Sequence, residues 1–290
     1  MKRYFIIGAL ALAAATTFAA AGLDGYTLGV GFNGPIAFAP FMYKKMPYGP
    51  AKDLLPDVLT TSQPNVLAVS ASNPAKTLPE FIAWAKTQGD RLSYASVGKG
   101  SSSHLSMELF LAEAGLEEVH VPYAGSPPAA TSVAAGDTQM LFTVAPALLP
   151  LVDGGRIRLL AATSLIRADS LKDIPTIAEQ GVPGFEALAW NGLFGSAGTP
   201  QVLFDRVNAD VNAALADPGV RAAFVKQGLI VGGGTAAEFK AFIDQDRKKW
   251  GAIIEKAGIT VDRPPARAAT LDRRSTESLR RRSTARFAAP

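Results

Sequence analysis

Between Leu92 and Gly136 the chain makes the same sequence of moves twice. A short apolar run, Leu92 to Ser96, reads as a strand. Glycines and serines follow, and then a helix from Ser101 to Ala114 carries Leu105, Leu109 and Phe110 on one stripe and stops at Gly115. Val119 to Pro122 is again a short strand, Gly125 and Ser126 are again the turn, and a helix from Pro127 to Ala135 stops at Gly136. A strand and a helix that alternate this way bury both apolar faces only when the strands share a sheet and the helices cover it. This repeat constrains the fold more than any other feature of the chain.

The rhythm extends on both sides. Strands are expected at Tyr26 to Phe32, broken by Asn33-Gly34-Pro35, and at Asn65 to Ser70. Thr77 to Glu80 has the capping-box pattern, with Pro79 in the first turn, and opens a helix to about Thr87. Further along come a strand at Gln139 to Thr143, a helix at Ala145 to Val152, a buried strand at Ile157 to Thr163, a short helix at Pro175 to Gln180 stopped by Gly181, and a strand at Leu188 to Ala197. The last third is helical. Thr199-Pro200 and Asp217-Pro218 each offer an N-cap followed by an N1 proline, and open helices to about Ala216 and Gln227, the second stopped by Gly228. A second capping box, Thr235 to Glu238, starts a long helix with Phe239, Phe242, Ile243, Trp250, Ile253 and Ile254 on one face, ended by Gly258. The fold class is therefore α/β, with mixed sheets flanked by helices.

With 290 residues there is room for one large or two small cores, and the absence of cysteine removes disulfides, thiolate metal sites and cysteine nucleophiles. The net charge of +4 sits at the ends. Arg263 to Pro290 holds eight arginines against Asp272 and Glu277, and is expected to be a disordered basic tail; the body has more acids than bases. A nucleic-acid partner is not indicated. Residues 1–21 read as an export signal: Lys2 and Arg3 are followed by an apolar run from Tyr4 to Ala15, with small residues for cleavage after Ala19 or Ala21. The expected location is the periplasm.

Tyr94 to Phe110, YASVGKGSSSHLSMELF, includes one of only two histidines and admits three functional readings. A phosphate loop would need a lysine directly before the hydroxyl residue, and Gly98-Lys99-Gly100-Ser101 lacks it. A hydrolase elbow would need GxSxG, which is absent around Ser101, Ser102 and Ser103. The third reading uses what is present: glycines that let backbone approach a ligand, serine hydroxyls, and the free N–H groups of a helix start, whose dipole favours an anion. A plain structural reading, in which Ser101 or Ser102 only caps the helix, fits this stretch equally well. Val121 to Ser126 and Gly31 to Gly34 are two more strand ends with glycine and a polar residue, where open α/β sheets hold ligands.

Taken together, these motifs resemble the extracytoplasmic solute-binding proteins of tripartite tricarboxylate transporters, the Bordetella uptake gene family. The resemblance rests on Asp24 to Leu28 (DGYTL), Pro47 to Leu54, Pro64 to Val69 (PNVLAV), the Tyr94 motif, Val121 to Ser126, Gly155 to Ser164, Asp173 to Glu186, Trp190 to Pro200 and Ala257 to Ile259, in family order from about Asp24 to Asp262. It implies a two-lobed periplasmic binding fold of type II that closes on a small organic carboxylate and delivers it to membrane permease subunits, as a monomer and without a cofactor. Carried over by position, the implied ligand-binding residues are Asn33 on the first lobe, Ser96, Gly98, Gly100, Ser101, Ser102 and His104 on the Tyr94 loop, Tyr123, Gly125 and Ser126 on its neighbour, and Thr143. His104 is expected to brace the loop rather than touch the ligand.

The implied lobes are 24–74 with 189–262, and 75–188, with hinges at Val66–Ser70 and Gly192–Thr199. Relative to the family pattern, Ala21 runs almost directly into Asp24, where relatives carry roughly two more βα units. The first lobe is therefore expected to be incomplete, to leave the faces of Tyr26–Phe32 and of the closing helix uncovered, and to bind solute weakly. Val97, Ala124 and Thr143 replace a common serine, a common basic residue and a common aspartate. The alternatives are a secreted hydrolase using Ser101 or Ser102 with a histidine, and a regulatory effector domain of the same shape.

Overall fold

The computed structural model describes residues 27–89 and 92–260. The export segment and the basic tail lie outside these residues. Among the described residues, nine strands form two sheets: β1 (Gly29–Phe32), β2 (Leu54–Pro64), β3 (Val66–Ser70), β4 (Ser93–Ser96), β5 (Val119–Pro122), β6 (Met140–Thr143), β7 (Ile157–Ala162), β8 (Leu188–Ser196) and β9 (Ile230–Gly233). The longer helices are α1 (Leu78–Gln88), α2 (Ser102–Ala114), α3 (Ser126–Ala135), α4 (Gln201–Ala216), α5 (Pro218–Lys226) and α6 (Ala236–Lys256). The first sheet has the order β1-β8-β2-β9 and is antiparallel throughout. The second has the order β5-β4-β6-β3-β7, with β4 parallel to β5 and β6, and β3 antiparallel to β6 and β7. The mixed α/β class expected from the alternating pattern is the class observed.

Most helix ends follow their local signals. Ser101 caps α2, Asp217 caps α5, and Thr235 and Glu238 form a complete capping box on α6. Three signals resolve differently. Glu80 reaches past Thr77 to the Lys76 N–H (2.7 Å), so only half of that box forms. The Thr199 hydroxyl turns back to the Ser196 carbonyl (2.9 Å), and Pro200 takes the N-cap position of α4. Pro175 to Gln180 is not a helix: Thr176 bridges to Ala162 alongside β7, and a turn follows. A bond from the Ala162 N–H to the Pro175 carbonyl and one from the Ile177 N–H to the Ala162 carbonyl draw this segment to the sheet (both 2.9 Å).

β3 pairs within the second sheet, and the chain crosses between the sheets at Asn65. The return crossing is at Ala187, just before β8. The expected hinge segments, Val66–Ser70 and Gly192–Thr199, instead lie largely inside strands, where ladder bonds oppose backbone rotation. Thr163 holds both crossings. Its N–H donates to Asn65 O (2.9 Å), its hydroxyl accepts from Asn65 N–H (2.8 Å) and donates to Ala187 O (2.6 Å), and its carbonyl accepts from Ala187 N–H (2.8 Å).

One apolar cluster is common to both sheets. It includes Phe38, Met42, Leu54, Trp190, Phe239 and Trp250 from the first unit and Leu67, Phe81, Leu105 and Phe110 from the second. The face of α6 is not bare, contrary to expectation: Gly34–Phe38 and Ala39–Met42 fold over it, and Phe38 meets Trp250 edge-on at 5.3 Å. Truncating a fully buried Trp such as Trp250 to Ala would cost about 3–5 kcal/mol. β1 is an edge strand, and Val30 within it is 71% exposed.

Candidate functional site

The parallel trio β5, β4 and β6 puts three strand ends on one edge of the second sheet. There lie the Val97–Ser101 turn, the Tyr123–Ser126 turn and Thr143. The first two are adjacent: Tyr123 N–H donates to Ser96 O (2.9 Å), and a β-carbon built on Gly98 would lie 3.8 Å from the Tyr123 carbonyl oxygen. The turn also meets the first unit. Gly100 has φ +75°, and a β-carbon there would lie 2.7 Å from Met42 Sδ, so the missing side chain is what seats Met42.

Ser101 combines the capping and turn roles. Its hydroxyl accepts from His104 N–H (3.3 Å) and donates to Gly98 O (2.7 Å). The two glycine amides of the turn point into the chain. Gly98 N–H donates to Ser96 Oγ (3.2 Å), and Gly100 N–H to His104 Nδ1 (3.0 Å). Among the described residues, the amides of Lys99, Ser102 and Ser103 have no hydrogen-bond partner, and the latter two are the first turn of a thirteen-residue helix.

The other expected residues divide. Ser126 and Thr143 are joined through their hydroxyls (2.9 Å), with Thr143 buried. Gly125 precedes α3 at φ +116°, but Pro127 and Pro128 remove two of that helix's first amides. Tyr123 is half-buried beside these turns. Asn33 is buried and donates to Leu188 O (3.1 Å), tying the first unit to its own returning strand.

Behind the turn lies an aromatic stack. His120 sits between Tyr94 and His104, with ring centroids at 4.9 and 3.9 Å. Ser96 Oγ is 2.6 Å from His120 Nε2, and His104 Nε2 is 3.4 Å from Glu108 Oε1, which also accepts from the Tyr94 hydroxyl. Burial, then the adjacent His104, push the His120 pKa down to about 3, with Glu108 pulling the other way. Burial opposes ionisation of Glu108, but the His104 and Tyr94 hydrogen bonds outweigh it and hold its pKa below the usual range. Among the described residues, the imidazole nitrogens meet Gly100, Glu108 and Ser96, not the Ser101 or Ser102 hydroxyl that the hydrolase reading requires. Ser96 itself is fully buried.

Two α/β units joined by crossing strands, with strand-end turns of one facing the other, define a two-lobed solute-binding protein of the periplasmic type. Residues 7–259 match the family described as "Tripartite tricarboxylate transporter family receptor", and the chain belongs to that family. A relative from Pseudomonas sp. (strain P51), the "UPF0065 protein in tcbD-tcbE intergenic region", is 35% identical over 232 residues, covering 80% of this chain and 69% of the relative. Two solved structures superpose well. "R. palustris Rpa4515 with adipate" has a TM-score of 0.76 at 33% identity, covering 86% of this chain and 83% of that one. "MatC (Rpa3494) from Rhodopseudomonas palustris with bound malate" has a TM-score of 0.70 at 30% identity, covering 83% of each. Among the described residues, no helix is long and apolar enough to cross a membrane.

Proposed function

We propose that this receptor takes a small organic carboxylate in the periplasm and presents it to cognate membrane permease subunits, acting as a monomer without chemistry of its own. The lobes are residues 27–64 with 188–260, and residues 66–162. The carrying observation is the pair of unpartnered amides at Ser102 and Ser103. They head a long helix beside the Tyr123–Ser126 turn, on the edge that meets the other lobe at Met42. Such a helix start favours an anion without needing a cationic side chain. The adipate and malate in the names of related structures support a dicarboxylate. Because Met42 occupies the face of Gly100, a ligand entering there displaces it, and binding is weaker than at a site left open.

Ser102→Pro tests this reading. Position 102 is the first helical residue, Ser101 already has the extended geometry that precedes proline (φ −77°, ψ 164°), and the amide removed has no partner in the chain. Calorimetry with adipate, malate and acetate is expected to show binding of the dicarboxylates, at least tenfold weaker in the variant, with the denaturation midpoint unchanged. Equal affinity in both proteins would remove the helix start from the binding site.

A further inference from the structure

The Val97–Ser101 turn is held from beneath by both histidines of the chain. Gly98 and Gly100 have backbone angles open mainly to glycine (φ +131° and +75°), so nothing in their own side chains fixes the turn. Each amide meets one arm of the stack: Gly100 N–H reaches His104 Nδ1, and Gly98 N–H reaches Ser96 Oγ, which contacts His120 Nε2. Accepting at Nδ1 requires the His104 proton to sit on Nε2, the nitrogen facing Glu108. His104 is 2% exposed and Ser96 is fully buried, so water competes little for these bonds.

We propose that the stacked His104–His120 pair positions the anion-binding turn: the rings take up the Gly98 and Gly100 amides, His104 directly and His120 through Ser96, and so orient the Ser102 and Ser103 amides toward a ligand. This role extends the carboxylate reading and rests on it for its purpose, but the clamp can be measured without any ligand.

The test compares His104→Asn with His104→Gln in the full chain. The Asn side-chain oxygen lies where Nδ1 lies and keeps the acceptor for Gly100, whereas the Gln terminus lies where Nε2 lies and does not. Amide hydrogen exchange is expected to quicken at Gly100 at least tenfold in His104→Gln and to stay near native in His104→Asn, with the remainder of α2 protected in both. Ser96→Ala is expected to release Gly98 but not Gly100, and serves if His104→Gln does not fold. Unchanged exchange at Gly100, or equal change in the Asn and Gln variants, overturns the clamp. Calorimetry with adipate and malate then separates the two ideas. Tenfold weaker binding in His104→Gln, restored in His104→Asn, supports the positioning role, and native affinity in His104→Gln refutes it. If the clamp pattern appears but the unaltered protein binds neither acid, the carboxylate reading fails and the clamp remains.

Discussion

Asp57 gives the sharpest stability prediction. It lies at a bulge in β2, is fully buried, and neither carboxylate oxygen has a hydrogen-bond partner among the described residues. Burial raises its pKa from 3.8 to about 6; Asn208 pulls the other way, although its amide hydrogens go to the main-chain oxygens of Asp57 and Gly234, and Asp205 adds to the rise. The folded chain therefore holds this proton more tightly than the unfolded chain. Stability from Asp57 is complete below the unfolded pKa of about 3.9 and is lost as pH rises through about 6, then levels off. A shift of about two units at ~1.4 kcal/mol each puts the loss near 3 kcal/mol at neutral pH. Asp57→Asn keeps the shape and cannot ionise. Urea denaturation of both proteins from pH 4 to pH 8 should show a small difference at pH 4 and a variant more stable by about 2–3 kcal/mol at pH 7. Comparing the two proteins cancels the pH dependence of every other group, including His120, which has the opposite sign. A difference that stays constant with pH, or that turns against the variant as pH rises, would show that the carboxylate is paired or wet.

Two further outcomes follow from the same contacts. Thr163→Val strips partners from Asn65 N–H and Ala187 O and should cost about 2–4 kcal/mol in urea denaturation, most of it restored by Thr163→Ser; an equal loss in both would assign the effect to packing rather than to the hydroxyl. The low His120 pKa means that the unfolded chain takes up a proton the folded chain refuses, so its contribution to stability is lost as pH falls from about 6.5 toward 3. NMR of the ring protons should show His120 without a titration step down to pH 4, and a midpoint near 6.5 would contradict the stack as described.

What was legible in advance was local. Ser101, Asp217 and Thr235 cap their helices because a cap needs only residues within one turn, and β6 shows as a strand because Met140, Leu141 and Phe142 form a continuous apolar run. β2 is not legible in the sequence although it is the longest of the described strands: Pro56 and Pro64 argue against a strand, and shifts at Pro56/Val58 and Leu59/Thr61 break the alternation that would reveal it. β9, with two glycines in four residues, shows no pattern at all.

The sequence by itself determined the strand–turn–helix units, their caps, and a glycine–serine turn at the head of α2. Tertiary structure decided the rest, because it depends on groups far apart in the chain. β3 joined the second sheet through its pairing with β6 and β7, and the crossings came together at Thr163, 98 residues from Asn65. Which amides of the turn stay unpartnered was settled by the packing behind it: His120 backs Ser96, His104 stacks on His120, and the two glycine N–H groups are already bonded there. A backbone donor has one hydrogen to give, and only the fold determines which acceptor receives it.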